Sequence, residues 1–553
     1  MKQSIKYIIG FVLALASLVS CELDTKDDFF HTDETLHTTY GYLFGFTHRA
    51  YTYVPNGFNA IDNNLFAAVS DEAQYVTTTS NSQLFNEGSW SKYKNPGDKF
   101  AYMYQGIHDV NYALENTGDY KDVLLIGRDT TTTQGKDNYE LDVEDMAWLR
   151  AEMKALKAFY YLELFQRYGG VPLIDETNDQ DPEAINLPRA SVTEVVGEIV
   201  SLIDEVSGSL VTDWNATGFK TRAGRMTQGA ALSVKARALL YYASPLFNPD
   251  NNSERWQKAA KAAHDVIETN LYSLDNSYEG LFKGSNTSTS PEVIWALRLG
   301  QTNLLEKSNY PIATPGGQTG IAPCHNLVDA YEFKGAPTGD MWSNKDPRFY
   351  ATILKNGDTW NGRTLQVYEG GTDDPANNNA SPTGYYLKKF LNENLDLTVN
   401  SSDVRSWILF RYAETLLTYA EAMNEAYGPD NNSGYRYTAR EALNIVRARP
   451  GVEMPAVDNG EDQNTLREAI KHERRIELAF EGHRYMDLKR WKDAEVVLNQ
   501  SVSGVKQGEG TPLSYEVVQV AERYFDASKM YLYPILESNI VRSDYVLEQN
   551  PNW

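Results

Sequence analysis

Apolar residues recur at helical spacing over much of this chain, and where that spacing lapses the sequence turns to Asn, Ser, Thr and Gly. The clearest stripe runs over 146–168. Leu149, Met153, Leu156, Tyr160 and Leu164 form one face, and Ala151, Ala155, Ala158, Leu162 and Phe165 a second. Two apolar faces predict a helix covered on two sides. Gly169-Gly170 stops it and Val171-Pro172 cannot continue it. Helices are also predicted over 36–53 and 100–115. Three Ser/Thr-x-x-Glu boxes mark further helix starts: Ser191 with Glu194, Thr438 with Glu441, and Thr465 with Glu468. Two regions, 54–97 and 271–403, keep no period and carry strings such as TPGGQTG and NGDTWNG. They read as loops and short strands.

The helical part echoes itself. YYASPLFNPDNNSERWQKAAKAAHDVI (241–267) and TYAEAMNEAYGPDNNSGYRYTAREALNIV (418–446) share a Tyr-Ala helix, the string Pro-Asp-Asn-Asn-Ser and an Ala-rich amphipathic helix. Helix pairs of this size build tetratricopeptide-type repeats, so the fold class is mainly α, a helical scaffold with two irregular insertions. Asp250, Asn252 and Glu254 alternate as in a calcium loop, but the glycine and ligand order of that motif are missing. Turn and cap chemistry accounts for them, and no cofactor or metal is expected.

Near the end, 473–491 reads ERRIELAFEGHRYMDLKRW. Charges of both signs alternate with Ile476, Leu478, Phe480, Tyr485, Met486, Leu488 and Trp491. A solvated face would not carry so many large apolar groups, whereas a junction whose charges pair with other segments would. Gly482 is placed to cap one helix and release the next. The rival reading is an active site using Glu481 and His483.

Composition narrows the function. The chain has 553 residues, 42% hydrophobic and 12% aromatic, with 36 Tyr and 10 Trp. A net charge of −24 argues against nucleic acid and against docking on anionic lipid. Lys2 and Lys6 precede an apolar run over 8–19, too short to span a bilayer, and Leu18-Val19-Ser20-Cys21 follows. That order resembles a bacterial lipobox and implies a signal peptide over 1–20, lipidation of Cys21 and a polar tether over 21–35. Anchoring would follow from the acyl chains. Cys324 is then the one remaining cysteine.

No catalytic constellation stands out. Acidic pairs are too common to single one out, and zinc-protease, nucleophile-elbow, phosphate-loop and dinucleotide motifs are missing. A binding protein is expected, and a glycan-degrading enzyme is the weaker alternative. Large aromatics in the irregular regions, Trp90, Trp342 and Trp360, are candidates to cover sugar faces. Asp62, Asn64, Asp71 and Arg348 are polar candidates to grip hydroxyls. Cys324 and His325 follow a Gly/Pro-rich turn and are further pocket candidates. Trp148, Trp256, Trp407 and Trp491 are assigned to helices and to the core.

Seven segments in order resemble the SusD/RagB family of outer-membrane lipoproteins from Bacteroidetes. They are the lipobox, LRAEMKALKAFYYLELFQRYGGVPL (149–173), GRMTQGAALSVKARALLYYASPLF (224–247), SPEVIWAL (290–297), LFRYAETLLTYAEAMNE (409–425), the 473–491 stretch, and YLYPI with QNPNW at the end. The resemblance implies one SusD-like domain over 36–553, with halves of about 36–250 and 251–553, built on about four degenerate tetratricopeptide-type pairs. It implies a glycan ligand gripped by loops of the two irregular regions, which favours Trp90 and Trp342. It further implies a SusC-like TonB-dependent transporter as partner, and attachment to the outer membrane at the cell surface. Peptide capture, as in RagB-like relatives, is the alternative ligand class.

Overall fold

The stripes and caps do become helices. The computed structural model describes residues 40–126, 128–177, 186–214, 222–338, 341–508 and 514–553. The signal segment 1–20, Cys21 and the tether 21–35 lie outside the described residues.

Helix α1 (Tyr40–Ala50) runs into a single 3₁₀ turn ending at Tyr53. Helix α2 is Phe100–Glu115 and α3 is Thr133–Tyr168. The start of α3 differs from the predicted 146, because its first turns are polar and carry no stripe. Thr132 caps them by accepting from the Gly135 amide at 3.1 Å. Both predicted stripes of α3 are buried, and Gly169 ends the helix with φ 76°. Helix α4 (Val192–Val206) starts at the Ser191–Glu194 box, where the Glu194 carboxylate accepts from the Ser191 amide at 2.8 Å. Val195, Val196, Ile199, Ile203 and Val206 then face inward.

Helices α5 (Gln228–Ala243) and α6 (Ser253–Glu268) form the first echoed pair, and α7 (Tyr412–Tyr427) and α8 (Ala439–Arg447) the second. Helix α6 packs on α7, so the two pairs are neighbours. The shared Pro-Asp-Asn-Asn-Ser string is a turn in each. Asn252 caps α6, and Asn251 accepts from the Trp256 indole at 2.8 Å. In the second copy Asp430 instead pairs with Arg440 at 2.7 Å and Thr438 is the cap. Helix α9 (Gln463–Glu477) corrects the third predicted box. Asp462 is its cap, accepting from the Thr465 amide at 2.8 Å, and Thr465 lies inside the helix. Helix α10 is Arg484–Trp491.

Short antiparallel strand pairs tie the irregular regions to this scaffold. Strand β1 (Ala73–Tyr75) pairs with β3 (Ile321–Pro323), and β2 (Val293–Thr302) with β4 (Asp403–Arg411). Trp407 therefore sits on a strand, not a helix: Ser406, Trp407, Ile408 and Phe410 pair along β2 before the chain turns helical at Tyr412. Strands β5 (Val502–Gln507) and β6 (Tyr515–Ala521) pair near the end of the chain. One apolar cluster runs from Ala50 to Leu547. No helix of the described residues is long and apolar enough to cross a membrane.

The 473–491 stretch is the junction. Between α9 and α10 both Phe480 and Gly482 take left-handed backbone, at φ 66° and 82°. The Phe480 amide is held by Glu72 at 3.0 Å. Glu477 accepts from Arg348, Arg411 and Arg449 at 2.6–2.7 Å, and Glu473 from Arg447 at 3.0 Å. Arg490 pairs with Glu421 and Asp487, and Arg484 with Asp71. These side chains come from five separate stretches of chain and are all buried. Buried charges are tolerated only when paired and hydrogen-bonded in this way.

Candidate ligand-binding surface

Pairing of β1 with β3, with Ala73 opposite Pro323 and Tyr75 opposite Ile321, joins the two irregular regions. The helix His325–Ala330 follows β3 directly. Its Asn326 seats the β5–β6 ribbon by accepting from the Ser503 amide at 2.8 Å and hydroxyl at 2.9 Å. Three distant segments thus meet at one place, and the loop 341–346, which leads into the helix Pro347–Thr352, reaches the ribbon through Trp342 and Tyr515.

Trp342 is the pivot of that loop. Its indole N–H donates to the Tyr385 hydroxyl at 3.2 Å, and that hydroxyl lies 3.0 Å from His325 Nδ1. An indole N–H can only donate, so the Tyr385 oxygen accepts from it, and the same hydroxyl is hydrogen-bonded to His325 Nδ1. Burial holds His325 below its ordinary value, with Asp329 opposing and Lys345 reinforcing. The His325 and Tyr385 rings are stacked 6.0 Å apart. Tyr350 donates to the Trp342 carbonyl at 2.6 Å, and the Tyr515 ring lies 5.5 Å from the indole. Trp342 is only 7% exposed, whereas Tyr515, Tyr350 and Phe333 are 42%, 40% and 37% exposed. Lys345 lies 4.3 Å over Phe333 and donates to the Tyr331 carbonyl at 2.8 Å. The result is three exposed rings, Tyr515, Tyr350 and Phe333, backed by the hydrogen-bonded Trp342–Tyr385–His325 wedge. Such rings can cover apolar faces of a ligand.

The other sequence candidates are placed differently. Trp90 is 1% exposed and packed among Phe85, Tyr533 and Trp553, with centroids 4.6–5.0 Å away. It is a core residue, because the chain end folds over it. Trp360 is buried with its ring edge-on to Tyr310 at 5.3 Å. Arg348 is buried in the junction network with Asp346 at 2.7 Å, Glu473 and Glu477. Asn64 exchanges two 3.0 Å amide bonds with Asn309. Asp71 is claimed by Arg475 at 2.6 Å and Arg484 at 2.8 Å. Burial alone would raise its carboxyl, but Arg484 and Arg475 hold it well below the usual carboxylate range. Cys324 is fully buried, its thiol pushed up to about 11 by burial with Arg523 opposing. Asp62 is partly exposed, and its carboxylate accepts from the Asn81 and Ser82 amides at 3.0 and 2.9 Å, pinning the turn that enters Asn81–Asn86. Neighbourhood in sequence had grouped these residues; their charges and rings are spent on the scaffold. Tyr385, Tyr350 and Tyr515 were missed. Tyr515 had one signal, the run YEVVQVA that opens on this aromatic; Tyr385 and Tyr350 had none.

Nor do Glu481 and His483 form an acid–base pair. Glu481 accepts from Arg411 at 2.7 Å and Lys389 at 2.8 Å. Burial raises its carboxyl, but Arg411 and then Lys389 outweigh burial and settle it at about 2. Burial lowers His483 to about 4 against the pull of Glu414.

Comparison with known proteins agrees with this architecture. A family model described as the SusD family matches residues 291–553, and one described as starch-binding and associating with the outer membrane matches 46–240. A SusD-like protein of Formosa agariphila is 26% identical over 384 residues, covering 66% of this chain and 71% of its own length. Among solved structures, a SusD-like protein from Bacteroides fragilis superposes with TM-score 0.76 at 24% identity, covering 94% of this chain and 99% of that one. A second B. fragilis structure, titled a SusD-like carbohydrate binding protein, gives 0.74 at 22% identity over 93% and 99%. With two models of one family spanning most of its described length and the same fold around them, the chain belongs to the SusD/RagB family.

Proposed function

We propose that this protein is a cell-surface lipoprotein, anchored through Cys21, that captures an oligo- or polysaccharide and passes it to a SusC-like TonB-dependent transporter. Binding without chemical conversion is its role. The observation that carries the reading is the ring cluster Tyr515–Trp342–Tyr350, fixed by Tyr385 and His325 on a rigid helical scaffold. Family membership supports it, as do the printed descriptions of the matched starch-binding model and of the carbohydrate-binding structural neighbour.

Isothermal titration against a panel of neutral and acidic glycans, with Tyr515→Ala and Tyr350→Ala beside wild type, tests it. Wild type should bind at least one glycan and the variants should bind it more weakly. Binding of peptides with indifference to every glycan would overturn the ligand class, and turnover of a glycan would overturn the non-enzymatic role. Pull-down of an outer-membrane transporter with the native protein tests the partner.

A further inference from the structure

Apart from the aromatic surface at Trp342, a cleft lies between α1 and strand β2. It has a volume of about 500 Å³ and continues into a smaller one of about 280 Å³, the two sharing Ala223, Gly224, Arg225, Trp295 and Arg298. The chemistry of the larger cleft departs from that of the molecule. The chain carries a net charge of −24, yet among the described residues this cleft is lined by Arg222, Arg225, Arg298 and His48 and by no carboxylate; Asp213 lines only the smaller one. Arg222 pairs with Asp145, and Arg225 with Glu152 at 2.6 Å. Both carboxylates are buried behind the wall. Arg298 is exposed and has no carboxylate partner among the described residues.

The backbone is arranged to hold that guanidinium in place. Strand β2 slips register between Val293 and Trp295, between Trp295 and Ala296, and again between Arg298 and Gly300. Such bulges re-aim side chains. Gly224, at φ 105°, carries the stem of Arg298 against its bare Cα; a Cβ there would come within 3.2 Å of Arg298 Cδ. The Gly224 carbonyl is fixed by the Trp295 indole at 3.0 Å. His48 reports the local field: burial first, then Arg225, with Arg222 adding, lowers it from its ordinary value against a backbone bond at Phe44.

We infer that this cleft binds an oxyanion, the carboxylate or sulfate of an acidic saccharide, through the Arg298 guanidinium. An exposed guanidinium fork matches either group with two parallel bonds. Calling the carrier a saccharide rests on the glycan-capture reading; the anion site itself does not.

The full chain, wild type and Arg298→Ala, is titrated by calorimetry with inorganic sulfate, an oligoglucuronate, a sulfated oligosaccharide and a neutral oligosaccharide of matched length. Low and high salt are compared. Wild type should bind at least one acidic oligosaccharide, roughly tenfold more tightly than Arg298→Ala, with Arg298→Lys between them, and salt should weaken it. Preference between the two acidic arms assigns carboxylate or sulfate ester. If sulfate ion alone competes with Arg298 dependence, the oxyanion site stands and the saccharide carrier falls. Lack of binding of all three anions, affinity unchanged in Arg298→Ala, or loss in Tyr515→Ala instead would each overturn the inference. Failure of the neutral glycan leaves it intact and counts only against capture at the aromatic surface.

Discussion

Arg484 and Asp71 stand 413 positions apart and meet as a two-pronged pair, Nε to Oδ1 at 2.8 Å and Nη2 to Oδ2 at 3.0 Å, both residues buried. The pair joins the start of α10 to the residue before Glu72 and β1, so the signature near the C-terminus clamps the first irregular region. Removing Arg484 takes one of two guanidinium partners from a buried carboxylate, with Arg475 remaining at 2.6 Å. Arg484→Ala should therefore cost about 1–3 kcal/mol, read as a lower urea midpoint, while glycan affinity of the folded protein stays unchanged. Unaltered stability, or selective loss of binding, would place the pair in the ligand site.

Beside it, Glu72 titrates in the wrong direction for a surface acid. Burial lifts it from 4.5 to about 7, against the Phe480 amide that steadies its anion and with Asp71 adding to the lift. The folded state then holds a proton that the unfolded state has released between those values. Stability conferred by neutral Glu72 is complete below about 4.5 and is lost as pH rises toward about 7. Glu72→Gln, which keeps the oxygen facing Phe480, should match wild type at low pH and exceed it above neutrality by up to about 3 kcal/mol. Parallel curves for the two proteins from pH 4 to 8 would refute this. His483, lowered to about 4, gives the opposite slope in both proteins and cancels in their difference.

Trp90 and Tyr515 should separate stability from binding. Trp90→Ala leaves a large hole among Phe85, Tyr533 and Trp553 and should destabilise by about 3–5 kcal/mol. Tyr515→Ala removes an exposed ring and should leave the melting transition in place, while weakening glycan binding roughly two- to tenfold. Calorimetric melts and titrations on both variants decide it. The reverse pattern would move the ligand surface to Trp90.

Cys324 should be inert in the native protein. Full burial and a thiol pushed up to about 11 leave almost no accessible thiolate at neutral pH. A chromogenic disulfide reagent should therefore label it only after denaturation. Rapid native labelling would show that the pocket beside Arg523 opens.

What could be read without coordinates is local. Two stripes on α3, the Ser191 and Thr438 boxes and Gly169 define helices because spacing and capping act within one or two turns. The echo of 241–267 in 418–446 exposed the paired scaffold, and the charged 473–491 stretch announced a junction because unpaired charge cannot be interleaved with core residues. Partner choice was beyond the sequence. Nothing near Arg348 shows that Glu473 and Glu477 will take it, and nothing near Trp90 shows that Trp553 will cover it. Nor does the run before Tyr515 show that it will lie 5.5 Å from Trp342. Pairing over hundreds of residues is settled by which surfaces the packed helices leave facing each other, and that is decided only when the whole core closes.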